Sequence, residues 1–234
     1  MRAIWRFIGS APLTFSWLML LLFTTGIQHT VTGRQRHHLL LHGSTNLHHL
    51  AGDPIQVLFA SLLWIDGYRW WPYLLLFCLF LAPAERWLGQ FRWLATGLIA
   101  HIVATYVSEG FLYLQIQDAL ATPALINARD IGVSYFMVGM IGVLTYHVIR
   151  PWRWLYLGLA VLAVGTALLV NPGFTPLGHF CALLVGLACY PLTRGRDRPA
   201  LDPVRKLRTC GSHRRGRRTP DALRATGPAG AGER

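Results

Sequence analysis

Between Asp130 and Arg150 the chain reads IGVSYFMVGMIGVLTYHVI, without one Asp, Glu, Lys or Arg. About 20 apolar residues are needed for a helix to cross the hydrocarbon core of a bilayer. In hydrocarbon every backbone N–H and C=O has to find its partner within the segment, so a run of this kind is a helix. Five further apolar blocks recur along the chain, at Ala11–Ile27, Trp70–Ala82, Phe91–Val107, Trp154–Val170 and Leu177–Tyr190. Hydrophobic residues make up 53% of the 234 and charged ones 14%, which excludes an ordinary soluble domain. The expectation is an all-α membrane protein, a bundle of six transmembrane helices.

The segments between the blocks add detail. Ala11–Ile27 is long for a signal-peptide core and no A-x-A site follows it, so it is expected to stay as the first helix. Thr30–Asp53 is polar and holds His37, His38, His42, His48 and His49, with His29 just before. It lacks H-E-x-x-H and any spaced carboxylate partner, so it reads as a solvated interfacial loop with no metal. Ile55–Ile65 is too short to span and is expected to dip into the membrane, with Trp64, Trp70, Trp71 and Tyr73 as interfacial anchors. Pro83-Ala84-Glu85-Arg86 is expected to end the next helix, and Gly110–Asp130 to form a loop holding a short helix. His101 reads as a polar packing residue and His147 as an interfacial one. Cys78, Cys181, Cys189 and Cys210 form no metal or disulfide pattern and read as small hydrophobes. No cofactor is implied.

Two domains of unequal character follow. Residues 1–193 form the membrane bundle, and 194–234 is an Arg-rich tail without apolar period, expected to be disordered and cytoplasmic. The net charge of +12 comes largely from that tail. A basic tail beside membrane helices reads as an inner-face anchor rather than a nucleic-acid arm. With the N-terminus inside, the inner segments hold Arg2, Arg6, Arg86, Arg92, Arg150, Arg153 and the tail. The outer ones hold only Arg34, Arg36, Arg69 and Arg129. Both termini are therefore expected in the cytoplasm, with the bilayer as the chain's solvent.

Ser134 and His179 are the candidate chemistry. An ionisable side chain inside a membrane is a functional candidate by default, and a serine needs a base to become a nucleophile. With helices starting near Ile131 and Pro176, on the outer side, each lies three residues in. Gly178, Ala182 and Gly186 form a small-residue stripe on the His179 helix that lets another backbone approach.

On these residues the chain resembles the rhomboid intramembrane serine proteases. Gly132-Val133-Ser134 is similar to the family's G-x-S at the start of its fourth helix. His179-x-x-Ala182-x-x-x-Gly186 is similar to the histidine and small residues of the sixth. Glu85-Arg86-Trp87-Leu88-Gly89 resembles the Glu-x-x-x-Gly closing the second, and Ile55–Ile65 falls where the family has its membrane-embedded first loop. The resemblance covers about Pro12–Pro191. It implies a Ser134–His179 dyad cleaving transmembrane substrates; the alternative is a non-catalytic relative that binds other transmembrane helices. Two departures stand out. Tyr135 replaces the glycine after the serine, and the oxyanion-binding His-x-x-x-Asn is missing near Trp70–Leu74. Asn46, His48 or His49, in the first loop, could supply a replacement donor. The lone lysine, Lys206, points to a divergent bacterial branch from a GC-rich, actinobacterial genome, and so to a bacterial plasma membrane.

Overall fold

The computed structural model describes residues 2–65 and 69–196, and it is helical with no strand among the described residues. The tail beyond Arg196, Cys210 included, lies outside the described residues. The helices are α1 (Arg2–Gly9), α2 (Pro12–Thr30), α3 (Gly33–Gly43), α4 (Leu47–Gly52), α5 (Pro54–Ala60), α6 (Trp71–Leu76), α7 (Ala82–Leu88), α8 (Gln90–Gln117), α9 (Gly132–Leu144), α10 (Trp152–Val170) and α11 (Phe174–Ala188).

Four segments differ from the sequence reading, each for a local reason. The polar stretch after α2 is not a plain loop but holds α3 and α4. Thr32 and Gln35 form a reciprocal capping box at the start of α3, and Asn46 accepts from the His49 N–H at the start of α4. Pro83 does not end its helix. A wide turn over Phe77–Leu81 joins α6 to α7, with the Ala82 N–H reaching back to Phe77 O. Such a π-type turn gives a proline ring the room a regular helix denies it. The break falls at Gly89, whose φ of 80° suits glycine. Nor does α8 stop at Val107; it continues to Gln117 because Ser108 and Glu109, polar as they are, are buried against the loop before α9. Finally α11 begins at Phe174, so His179 is its sixth residue while Ser134 is the third of α9.

The centre of the fold is α9. Most of its positions are buried, the mark of a helix apolar on every side. Glycine sets its spacing to both neighbours. A Cβ on Gly97 of α8 would enter the Phe136 ring, and one on Gly139 would meet Ala100. Toward α11 the contact is backbone on backbone: a Cβ on Gly142 would lie 2.6 Å from Leu183 O, and one on Gly186 would strike Gly139 O. Below Ser134, Phe136 packs with Trp17 and Trp93, both at 4.8 Å between ring centroids. His147, past the end of α9, stacks on Trp87 at 4.6 Å.

Helix α10 has no buried residue and lies at the edge, against α11 and α9. Its 19 residues at about 1.5 Å each roughly match a ~30 Å hydrocarbon core. By length and composition α8 and α10 can cross a membrane, and α11 is apolar but shorter.

Candidate active site

Ser134 enters the site from the first turn of α9. It is half-buried, and its hydroxyl donates to Ile131 O at 3.1 Å, one turn back. As the third residue of its helix its N–H is among those with no intrahelical acceptor. His179, on α11, is half-buried too. Its ring meets the ring of Tyr135 edge-on, with centroids 5.1 Å apart and planes at 65°. The structure thus brings the two helices together, yet the residue that touches His179 is the one after the serine. No hydrogen bond joins Ser134 to His179.

Tyr135 is fully buried, and a buried phenol needs an acceptor. It donates to Asp130 Oδ2 at 2.5 Å. The Ser108 hydroxyl donates to the same oxygen at 3.4 Å, and the Ile131 N–H to Oδ1 at 3.1 Å. The Asp130 backbone is fixed as well. It pairs with Thr45 through reciprocal N–H to O bonds of 2.9 and 3.1 Å, and the Thr45 hydroxyl donates to Asp130 O. Burial pushes the Asp130 carboxyl up to about 6, against the lowering effect of the Tyr135, Ile131 and Ser108 hydrogen bonds. Beside this cluster Glu109 is buried with no hydrogen-bond partner on either carboxylate oxygen.

The residues considered for the oxyanion are engaged elsewhere or face another cleft. Asn46 Oδ1 accepts from the His49 N–H at 2.9 Å, and its Nδ2 lies 3.2 Å from His49 Nδ1 and 3.4 Å from Leu41 O. His48 and His49 line an open cleft with Asp53 and Gln56. Among the described residues no three His, Cys, Asp or Glu side chains gather to hold a metal ion. His101 is fully buried, with Nε2 3.0 Å from Leu58 O and 3.3 Å from the Ser61 hydroxyl. A Cβ on Gly132 would run into that ring, so glycine two residues before the serine makes space for the histidine.

The packing residues divide by task. Ala182 is fully buried and Gly186 is the closest backbone approach to α9, whereas Gly178 makes room for the Tyr135 hydroxyl, 2.5 Å from where its Cβ would sit. Glu85 does more than pack: its carboxylate accepts from the Leu13 N–H at 3.0 Å and the Thr14 N–H at 2.7 Å. It caps α2 from across the bundle, where the helix dipole favours a negative charge.

Sequence reading passed over Asp130, Ser108, Glu109 and Ser61. Two signals were available: Glu109 is an acid within an apolar stretch, and Asp130 immediately precedes the most apolar helix.

The fold and site together define a largely apolar helical bundle with a serine and a histidine on adjoining central helices. A family model described as "Rhomboid-like protein" matches residues 6–199, and the chain belongs to that family. It is a rhomboid-like membrane protein. No curated protein and no solved structure matches it.

Proposed function

We propose that the protein is an intramembrane serine protease that cleaves transmembrane protein substrates with Ser134 as nucleophile and His179 as base. The observation that carries this reading is the Tyr135–His179 contact, which brings the imidazole level with the first turn of α9, where Ser134 sits. For catalysis the Ser134 hydroxyl turns from Ile131 O toward His179. The bond given up is worth only about 1 kcal/mol. His179 takes the hydroxyl proton as Oγ attacks the scissile carbonyl, and returns it to the leaving amine as the C–N bond breaks. Water then hydrolyses the ester. The Ser134 N–H, at the positive end of α9, is the oxyanion donor this chain offers most directly. The reading includes six spans, both termini in the cytoplasm, and residence in a bacterial plasma membrane.

The second reading is a non-catalytic rhomboid-like protein that binds other transmembrane helices. The Ser134–Ile131 bond favours it, being the usual occupation of a serine in a membrane helix. So does the engagement of Asn46 in its cap. A fluorophosphonate probe on the purified protein, with a test transmembrane substrate alongside, separates the two. The protease reading expects labelling at Ser134 that disappears in both Ser134→Ala and His179→Ala. It fails if neither labelling nor cleavage occurs.

A further inference from the structure

We propose that Asp130 is a positioning residue for His179, acting through Tyr135. This rests on the reading of His179 as the base, and it assigns work to the residue that departs from the family's glycine after the serine. The argument begins with what holds the imidazole. Among the described residues its one ring contact is with Tyr135, in an edge-type arrangement, and no hydrogen bond fixes either of its nitrogens. The orientation of His179 is therefore only as well defined as that of Tyr135.

Tyr135 is held at both ends. Its hydroxyl is tied to Asp130, a charge-assisted bond of the stronger kind. Gly178, the residue before His179, leaves the space the phenol occupies. Asp130 in turn does not hang free. Thr45 grips its backbone, and Ser108 and the Ile131 N–H hold its carboxylate. A chain of contacts thus runs from the loop between α3 and α4, through Asp130 and Tyr135, to the histidine on α11. The rigid anchor lies outside the helices and the adjustable group inside. Tyrosine after the serine then has a purpose that glycine could not serve, since only a side chain can carry the anchor across to α11.

The test uses the full-length chain in detergent with two readouts. One is the rate of fluorophosphonate labelling at Ser134. The other is the imidazole Cε1–H signal of His179 in histidine-labelled protein, assigned by its absence in His179→Asn. The ring current of Tyr135 should displace that signal in the wild type. Tyr135→Phe keeps the ring and cuts the tether, and Asp130→Ala cuts it from the other side. Each should slow labelling about 10–100-fold, the size seen when the partners that orient metal-bound histidines are removed. Each should also shift or broaden the His179 signal, and the double variant should be no slower than the worse single one. If Asp130→Ala does not fold, Tyr135→Phe decides alone. An unlabelled wild type whose His179 signal still moves in Tyr135→Phe would remove the protease reading and leave the positioning intact. A labelled wild type whose variants keep both the rate and the signal would overturn the positioning. So would single defects that simply multiply in the double variant.

Discussion

Gly186→Ala gives the sharpest test of how the bundle is spaced. An added Cβ would strike Gly139 O and lie 2.9 and 3.0 Å from Gly139 C and Cα. Real Cβ contacts of this kind fall beyond about 3.4 Å, and carbon atoms prefer about 3.5–4.0 Å. The obstacle is backbone on α9 rather than the tip of a side chain, so the helices have to part by several tenths of an ångström. Overpacking of this sort costs about 1–3 kcal/mol. Alanine returns about 1 kcal/mol of helix propensity over glycine. A matched control removes that term: Gly165→Ala, on α10, where an added Cβ meets nothing within 4 Å. For a chain of this size, 1–3 kcal/mol corresponds to a Tm difference of about 2–12 °C. A thiol-reactive dye reads it by following exposure of Cys189, which is buried. The expected order is Gly165→Ala at or above the wild type and Gly186→Ala below both. Equal Tm values for the two variants would refute the backbone contact between α9 and α11.

Other outcomes follow from single features. Glu85→Ala should lower Tm by several degrees, since each hydrogen bond to a charged group is worth about 1.5–3 kcal/mol, and Glu85→Gln should lose less because one acceptor oxygen remains. Asp130, raised from 3.8 to about 6, favours the proton in the folded chain. Its contribution to stability is therefore full below pH about 4 and declines as pH rises to about 6, a slope that thermal melts should find flattened in Asp130→Asn. If both termini are inside, as proposed, an impermeant thiol reagent applied to intact cells should reach cysteines placed in 33–52 and 118–128 but none in 205–218. Labelling in the last range would reverse the orientation.

The apolar blocks located the main helices because the signal of a long apolar run is additive over many residues. Composition carried that much without help from neighbours. The errors came where one contact overrules local preference. Pro83 looked like a stop, but the wide turn before it absorbs the ring. Ser108-Glu109-Gly110 looked like a stop, but Asp130 lies 22 residues beyond Ser108 and receives its hydroxyl. Ser134 and His179 were legible as residue types, each improbable in lipid without a reason. What lies between them was not. Tyr135 appeared as a mismatch with the family pattern, and its contacts with Asp130 and His179 are visible only in the structure.

The cap on α2 also has a history in time. Leu13 and Thr14 are made well before the carboxylate that satisfies their N–H groups, which follows 72 and 71 residues later. Until then those N–H groups at the amino end of α2 have no partner within the helix. Once α7 arrives, Glu85 accepts from them and ties α7 to α2. Assembly of the bundle is in this way marked by a bond that cannot form until the 71 residues that follow Thr14 have been made.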